Sequence, residues 1–398
     1  MKIKQRPEDF QVEERTDLVP ADSGAFALYR LDKQGWTTPD AVRVIQQRWR
    51  IDRRRISYGG LKDRHAATSQ FLTIERGPQR NLTHQRLRLV YLGRTDRPFT
   101  GDMLTGNRFR IVVRDLSVEM VDCAHTALAE VARDGVPNYF DDQRFGSVGS
   151  GGEFMARALV QGRHENALKL ALTLPYEFDR AAQKREKAVL RQHWGDWARC
   201  GQMLRDGGVI EHLRHNPSDF RGALERFRPE LRGLHLSAYQ SFLWNRLLAG
   251  WLHGFLQPGQ ILPVRLRQGD VPFPRGLDDG QRDELVRLSL PLPSAQLALT
   301  DNDPVKRLLD GILADENVHL QDFRLKGFRN LFFSRGSRAA LCTPASLQHE
   351  QDKDELHRHK QKLVLAFELS PGSYATLLVK RIVQPTRDET HTIAAHPD

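Results

Sequence analysis

The stretch "YGGLKDRHAATSQ", residues 58–70, places a single acidic residue, Asp63, between the cations Lys62 and Arg64. Two glycines precede this group, as in a turn, and a run of small residues follows it. An isolated Lys-Asp-Arg of this kind is most often a surface turn with an incidental ion pair. Whether Asp63 has a chemical role therefore has to be judged from the residues in the rest of the chain.

The charge balance of the chain indicates a polyanionic partner. The 398 residues carry a formal net charge of +10, and the sequence pI is about 9.7. The segment from residue 43 to residue 64 contains eight Lys and Arg residues and only two acids, Asp52 and Asp63. A solvated basic helix end is the alternative interpretation. This segment, however, leads directly into the stretch quoted above, which favours nucleic-acid binding.

Several protein classes do not fit the sequence. No apolar run approaches the roughly 18 residues of a membrane helix, and "MKIKQRPEDF" does not have the hydrophobic stretch of a signal peptide. Cys123, Cys200 and Cys342 lie far apart and form neither a metal-type pair nor a disulfide framework, so a reducing cytoplasmic location is expected. Motifs of zinc proteases, serine hydrolases and dinucleotide-binding enzymes do not occur.

The first part of the chain alternates between strand and helix patterns. Residues 9–14, 25–31, 70–75 and 107–116 are predicted strands. A helix is predicted within 37–51, with Thr38 as N-cap, Pro39 as its first residue and Val42, Ile45 and Trp49 on one face. Another helix is predicted to be closed by Gly135. This mixture predicts an α+β fold with helices on one side of a central, mainly antiparallel sheet.

The middle of the chain is more helical. Its clearest helix is "LSAYQSFLWNRLLAGWLHGF", which has a possible capping box at Ser237 and Gln240. The end of the chain returns to predicted strands at 362–370 and 374–383. Strands at both ends with helices between them indicate one discontinuous domain interrupted by an insertion, an arrangement that usually leaves a ligand-binding cleft. Since this insertion is interpreted as a cleft wall and no coiled-coil pattern occurs, a monomer is expected.

Six short polar and aromatic strings are more specific than core or surface positions require. They are "PEDFQVEE", "GGLKDRHAATSQ", "GNRF", "VPNYFDDQRFG", "SAYQSFLWN" and "SPGSYAT". In this order and at this spacing they resemble the TruD family of tRNA pseudouridine synthases. The family's signature around its catalytic aspartate is approximately G-x-K-D-x-x-A-x-T-x-Q. It is matched by Gly60, Lys62, Asp63, Ala66, Thr68 and Gln70.

The other strings match further family motifs. Gly106, Asn107 and Phe109 match G-N-x-F, and residues 137–140 with 143–146 match P-N-Y-F-x-x-Q-R-F-G. Lys4 and residues 7–10 match K-x-x-P-E-D-F. Residues 371–376 match P-x-G-S-[FY]-A-T, with an offset of one residue at the proline. Two departures occur. Asp141 stands where the family commonly has glycine, and "GRTDRPFTGDML" replaces a Lys/Arg-rich run, which leaves details of RNA backbone contact open.

The resemblance implies a pseudouridine-synthase-type catalytic domain at 1–148 and 346–398, interrupted by an α/β TRUD domain at 149–345 that forms a cleft. It also implies that uridine 13 in the D-arm of tRNA is isomerised to pseudouridine. An isomerase of this type keeps the detached base as the next nucleophile, so that one carboxylate can be sufficient where hydrolytic glycosidases need two. No metal or other cofactor is required.

By resemblance, Asp63 is the catalytic carboxylate, and it must be ionised in a site that excludes water. Burial raises the pKa of a carboxyl group and nearby positive charge opposes this, with Lys62 and Arg64 as candidate cations. The flipped-out uridine is expected to lie among Phe10, Phe109 and Tyr374, with Asn107 bonded to its base or ribose. Further candidates for contact with RNA are Lys4, Lys62, Arg64 and Arg144.

The sequence is also compatible with two other functions. A catalytically silent RNA-binding protein could use the same basic cleft, although the complete motif around Asp63 favours an enzyme. A nucleoside or nucleic-acid glycosidase would need a second carboxylate, and only the adjacent acids Asp141 and Asp142 are candidates for a catalytic carboxylate pair. The residues also leave open whether Asp63 attacks the sugar, adds to the base or removes a ribose proton.

Overall fold

The computed structural model describes residues 1–149, 151–176, 179–204, 208–227, 229–328 and 331–383. It divides into two compact units, one formed by Met1–Val136 with Cys342–Asp398 and the other by Pro137–Leu341. The chain passes between the units at two short strands, β8 (Val136–Pro137) and β13 (Leu341–Cys342). Within the described residues, no helix is both long enough and apolar enough to cross a bilayer.

The first unit is built on a nine-stranded sheet. Its strands are β1 (Phe10–Arg15), β2 (Phe26–Gln34), β3 (Ile56–Tyr58), β4 (Ala67–Glu75), β5 (Leu82–His84), β6 (Leu87–Thr95), β7 (Gly106–Leu116), β14 (Ala345–Lys353) and β15 (Gln361–Leu369). The order across the sheet is β14-β15-β7-β1-β4-β2-β6-β5, and β3 pairs with β4. This confirms the predicted α+β fold with a mainly antiparallel sheet.

The pair β1 and β4 is parallel, whereas the other pairs of this sheet are antiparallel. Gln11 lies opposite Ala67, so both strands begin at the same edge of the sheet. The segments that lead into the two strands, residues 1–9 and 59–66, are therefore brought to one place. The second of these segments contains Asp63.

Helix α1 (Thr38–Trp49) packs on the sheet through the face that the sequence predicted. Val42 and Ile45 are buried in one cluster with Leu31 of β2 and Leu72 of β4, and Trp49 packs against it. The predicted N-cap is wrong by one residue. Thr37 caps the helix, because its side chain accepts a hydrogen bond from the backbone N–H of Asp40.

Helix α2 (Val118–Asp134) packs against α12 (Ala375–Val383) and contacts β15. Gly135 follows α2 with a φ of +71°, as predicted for its C-cap. The strand predicted at 374–383 is wrong, since these residues form α12. Nearly every residue of α12 is buried, including the polar Thr376 and Arg381, so the sequence pattern does not show whether the period is that of a strand or of a helix.

The second unit is mainly helical. Its helices are α3 (Met155–Val160), α4 (His164–Thr173), α5 (Ala181–Gln192), α6 (Trp197–Met203), α7 (Gly208–His215), α8 (Phe220–Glu225), α9 (Pro229–Phe255), α10 (Asp279–Arg287) and α11 (Pro304–Asp315). Its strands form two antiparallel pairs, β9 (Ile261–Leu266) with β10 (Gly269–Pro274) and β11 (Ser289–Pro291) with β12 (Ser337–Ala339).

The long helix α9 organises this unit. The predicted capping box is wrong, because Ser237 lies inside α9 and its hydroxyl donates to the carbonyl of Leu234 at 3.0 Å. Asn245, on the buried side of α9, accepts from the N–H of Phe140 and donates to its carbonyl, both at 2.8 Å. The hydroxyl of Tyr139 donates to the carbonyl of Pro272 at 3.0 Å. The string "PNYF" is therefore held by backbone-directed bonds within this unit.

A buried charge network joins the start of β1 to β7 in the first unit. Arg114 of β7 donates to Asp9 at 2.8 and 3.0 Å and to Asp354 at 3.0 Å, and it also pairs with Glu355 at 2.9 Å. The side chains of Arg114, Asp9 and Asp354 are at most 5% exposed. Asp9, the second acid of "PEDF", thus has a structural partner and fixes the position at which the chain enters β1.

We predict that Arg114→Met destabilises the protein by about 3–5 kcal/mol, because it leaves Asp9 and Asp354 buried without their cation. Arg108→Met is the matched control on the same strand. Arg108 is exposed and pairs with Glu368 at 2.8 Å, so its loss is expected to cost about 0–1 kcal/mol. Denaturant unfolding of the two variants measures the difference. Equal effects would contradict the structural role of the Arg114 network.

Candidate active site

The segment that carries Asp63 is held from beneath by the buried Lys33. Its ammonium donates to the carbonyl oxygens of Trp36 at 2.8 Å, Asp63 at 3.1 Å and Lys62 at 3.3 Å. Burial lowers the pKa of Lys33 to about 8, against the opposing effect of Asp63. Because all three donors of the ammonium are used, Lys33 fixes the backbone at the position of the acid.

A second support comes from the start of α1. The Thr38 hydroxyl accepts from the N–H of Lys62 at 3.0 Å and donates to the side chain of Gln70 at 2.8 Å. Gln70 in turn donates to the carbonyl of Gly60 at 3.2 Å. Thr38 and Gln70 are fully buried, so residues 60–62 have a fixed path above β4. Gln70 was part of the motif in the sequence, whereas nothing local indicated the role of Thr38.

The Asp63 carboxylate is bound by a cation from the other segment at the same sheet edge. The Lys4 ammonium contacts Oδ2, and the N–H of His65 donates to Oδ1 at 3.0 Å. Burial raises the pKa of Asp63, but the bonds from Lys4 and His65 outweigh it and hold the pKa below its ordinary value. Asp63 is therefore ionised at neutral pH, and one third of its side chain stays exposed to solvent.

The rings of Phe10, Phe109 and Phe367 pack beside this ion pair and are called the aromatic wall. The Lys4 ammonium lies 4.3 Å from the centre of the Phe10 ring, which is a cation–π distance. Phe10 meets Phe109 edge to face at 6.3 Å between ring centres, and Phe109 stacks on Phe367 at 5.5 Å. Phe10 and Phe109 are 6% and 7% exposed, so most of each ring is core and only part of it can face a ligand.

Lys62 turns away from Asp63. Its ammonium lies 3.0 Å from Glu14 Oε1 and donates to Asn107 Oδ1 at 2.8 Å. The Glu14 side chain is fully buried, and its other oxygen accepts from the N–H of Phe71 at 2.8 Å. Burial raises the pKa of Glu14, and the charge of Lys62 and the bond from Phe71 oppose that shift.

The structure brings together Asp63, Lys4, Phe10, Phe109, Lys62 and Asn107 on one face of the first unit's sheet. Arg64 is exposed and donates to the carbonyl of Gly35 at 3.2 Å. Tyr374 is half-buried just before α12, five residues after β15 ends opposite Asn107. Arg144 belongs to the second unit, where it donates to the Ser241 hydroxyl at 3.2 Å.

Two residues of this site were missed by sequence reasoning. Lys33 lies two residues beyond the predicted strand 25–31, because β2 extends to Gln34, and alternation continued past Leu31 could have indicated its burial. Glu14 follows Glu13 in "QVEE", and alternation requires that one of these two acids faces inward. The acids suspected for a glycosidase lie in the second unit, where Asp142 accepts from the N–H of Arg267 at 2.7 Å.

A groove of about 720 Å³ is lined mainly by residues whose side chains alternate to the opposite face of the sheet, and Lys33 and Phe109 of the Asp63 site also border it. Its lining includes Gln11, Asp32, Ser69 and Arg110, which alternate along their strands with the side chains of the Asp63 site. Neither Asp63 nor Lys4 lines this groove. Volume alone therefore does not identify the reactive centre, and the ionised carboxylate with its cation and aromatic wall is the better candidate.

The chemistry available at Asp63 is that of an ionised carboxylate in a partly apolar setting. Such a group can act as a nucleophile or accept a proton. The three lysines Lys4, Lys33 and Lys62 face two carboxylates, Asp63 and Glu14, so the site as a whole favours an anionic ligand. Among residues 1–149, 151–176, 179–204, 208–227, 229–328 and 331–383, no three His, Cys, Asp or Glu side chains are grouped so that they could hold a metal ion.

Comparison with known proteins agrees with this site. The sequence model of the family described as "tRNA pseudouridine synthase D (TruD)" matches residues 1–382. A protein assigned as tRNA pseudouridine synthase D 1 in Methanococcus maripaludis is 31% identical over 394 residues, which cover 96% of this chain and 99% of the relative. The tRNA pseudouridine synthase D of Aquifex aeolicus is 29% identical and covers 96% of this chain, with 98% of its own length matched.

A solved structure supports the same relationship. The crystal structure of a protein assigned as tRNA pseudouridine synthase D from Methanosarcina mazei aligns with a TM-score of 0.70 at 25% identity. The alignment covers 96% of this chain and 93% of the other. Since sequence and fold agree over nearly the whole length, the chain belongs to the TruD family of tRNA pseudouridine synthases.

Proposed function

We propose that this tRNA pseudouridine synthase isomerises uridine 13 in the D-arm of tRNA, and that Asp63 is its catalytic carboxylate. The observation that carries the proposal is the contact of Asp63 with Lys4 beside the rings of Phe10 and Phe109. This arrangement keeps a carboxylate ionised where part of its surroundings is apolar. Position 13 is inferred from the resemblance of the motifs to those of the family.

A single ionised carboxylate is sufficient for this isomerisation. The N-glycosidic bond breaks, the detached uracil turns within the site, and a new bond forms between a base carbon and the ribose. Because the leaving group is retained and becomes the next nucleophile, no second carboxylate has to activate water. Asp63 starts the reaction by covalent or proton-transfer chemistry, for which its low pKa supplies the required charge at neutral pH.

The target base must leave the RNA stack to reach Asp63. We place it against Phe10, Phe109 and Tyr374, with Asn107 bonded to its polar edge. The half-buried position of Tyr374 after β15, which ends opposite Asn107, supports this grouping. The partial exposure of the two phenylalanine rings limits them to forming one side of the pocket.

Contacts with the RNA backbone are assigned to cations that have exposed side chains. Arg43, Arg48, Arg50 and Arg64 lie in or after α1, in the segment that leads to the Asp63 turn, and all four are exposed. Lys4 and Lys62 were predicted to touch RNA, but their ammonium groups already contact Asp63 and Glu14. We therefore give these two lysines roles inside the site. Arg144 remains a candidate for RNA contact in the second unit.

An RNA-binding protein without activity is the second candidate. It would need the basic surface but not the Asp63 arrangement. Lys33 and Thr38, which hold the turn that carries Asp63, and the Lys4 contact serve no evident purpose in binding alone. Conversion of an unmodified tRNA transcript by the parent protein separates the two possibilities.

We predict that the protein forms pseudouridine at position 13 of an unmodified tRNA transcript, and that Asp63→Asn abolishes this. The rate is expected to fall by at least about three orders of magnitude, because the amide has no negative charge. Asp102→Asn, at an exposed acid of the same unit, is the control and keeps full activity. Sequencing-based mapping gives the position and the rate. Binding by the parent without conversion would support the RNA-binding alternative.

We predict that Lys4→Met moves the acidic limb of the single-turnover rate to higher pH. The bond from Lys4 lowers the pKa of Asp63 against the effect of burial, so the pKa rises when Lys4 is replaced, and more of the carboxyl is protonated at a given acidic pH. Lys2→Met, two residues away and exposed, leaves the profile unchanged. A uniformly slower rate with an unmoved acidic limb would refute this role of Lys4.

We predict that tRNA affinity falls steeply with rising salt, and that Arg50→Gln/Arg64→Gln makes the dependence shallower. The slope of log K against log salt should decrease by about 0.7–0.9 for each phosphate that the protein no longer neutralises. The charge-matched control is Lys353→Gln/Arg358→Gln, at exposed positions in or after β14. Binding measured between low and physiological salt gives both slopes. Equal slopes for the two double variants would show that only total charge matters.

A further inference from the structure

We infer that Glu14 and Lys62 are positioning residues that make the site selective for uracil over cytosine, through the orientation of the Asn107 amide. The inference rests on the proposed function, because it assumes that Asn107 meets the flipped base. It gives a role in base selection to Lys62, which was expected to contact RNA, and to Glu14, which was expected only to lie in a strand.

The orientation of the Asn107 amide follows from the chemistry of its neighbour. A lysine ammonium has three donors and no acceptor. The atom of Asn107 that lies 2.8 Å from Lys62 must therefore be the carbonyl oxygen Oδ1. The Nδ2 amino group is consequently turned the other way, and it has no hydrogen bond to another described residue. Asn107 is partly exposed, so Nδ2 is available to a ligand.

Glu14 holds Lys62 in this position. Its carboxylate is fully buried, with Oε2 accepting from the N–H of Phe71 at 2.8 Å. Oε1 accepts no hydrogen bond from another described residue and is balanced by its ion pair with the Lys62 ammonium at 3.0 Å. The Lys62 side chain is itself only 12% exposed. The ammonium is therefore held between Glu14 and Asn107, because leaving would strand a buried negative charge. The Asn107 amide cannot rotate without bringing Nδ2 against the Lys62 ammonium.

A fixed donor selects between the pyrimidines. Uracil presents a carbonyl oxygen at C4, where cytosine presents an amino group. The Asn107 Nδ2 group donates to the uracil oxygen, whereas against cytosine two donors face each other and both stay unpaired. Unpaired polar groups in a closed site weaken binding strongly. The expected preference of the parent site for uracil at this edge is about ten-fold or more.

The test measures binding in the Asp63→Asn background, which prevents turnover. Two tRNA transcripts are compared that differ only in uridine or cytidine at the modified position. The readout is the ratio of the two dissociation constants for each protein variant. Differences between the two RNAs themselves are the same for every variant, so they cancel when the ratios of two variants are compared. Lys62→Met frees the amide to rotate, so the ratio is expected to fall towards one. Asn107→Asp presents an acceptor, so the preference is expected to invert towards cytidine.

Arg64→Met is the matched control for Lys62→Met. It removes the neighbouring cation, which is exposed and donates only to the carbonyl of Gly35 among described residues. It is expected to weaken both RNAs by the same factor and to leave the ratio unchanged. Lys62→Arg keeps a donor between Glu14 and Asn107 and is expected to restore most of the ratio, which distinguishes positioning from misfolding.

One result overturns the inference. If Lys62→Met weakens both RNAs equally, as Arg64→Met does, Lys62 contacts phosphate and does not orient Asn107. The proposed function fails separately, when the unmutated protein forms no pseudouridine in tRNA. An unmutated protein that is active, with a ratio unaffected by Lys62→Met, would reject the orientation of Asn107 while leaving the catalytic assignment in place.

Discussion

The parallel pairing of β1 with β4 is the constraint on which the site depends. Parallel neighbours begin at the same edge of a sheet, whereas antiparallel neighbours begin at opposite edges. Lys4 precedes one of these strands and Asp63 precedes the other, so the pairing brings together two residues that lie 59 positions apart. The side-chain period in strands is two, and a slip of one residue would turn Glu14 to the face away from Lys62.

A parallel pair also needs a crossover connection, and here that connection contains β2 and α1, which supply Lys33 and Thr38.

The buried charges of the first unit serve two different purposes. Arg114 is shared among Asp9, Asp354 and Glu355 and joins strand ends, and the resemblance gives it no part in the reaction. The pair of Lys4 with Asp63 is partly exposed, and the more deeply buried pair of Lys62 with Glu14 contacts the partly exposed Asn107. Removal of ions from water costs free energy that their mutual attraction repays only when the geometry is good. Their retention in the site is thus better explained by control of charge and direction than by stability.

Local patterns in the sequence predicted much of the fold, and the resemblance of the surrounding strings to family motifs made Asp63 the candidate catalytic residue. Alternation gave β1 and β2, and helical spacing gave the buried face of α1. Two kinds of information were not local. The identity of the cation at Asp63 depends on which strands pair in parallel. The sequence favoured Lys62 and Arg64 because they are the neighbours of Asp63 in the chain, but Lys4 makes the contact. The run at 374–383 is mostly apolar and almost all of α12 is buried, so no exposed polar face marked the helical period.

Lys33 has a consequence for how this site can vary. It binds the carbonyl oxygens of residues 62 and 63 and makes no hydrogen bond to their side chains. Main-chain recognition of this kind does not depend on which amino acids occupy the two positions. The hydrogen bonds of the scaffold are thus independent of the side chain at 63, although the negative charge of Asp63 raises the pKa of Lys33 and so helps to keep its ammonium charged. Chemistry at this turn can be exchanged without rebuilding what supports it.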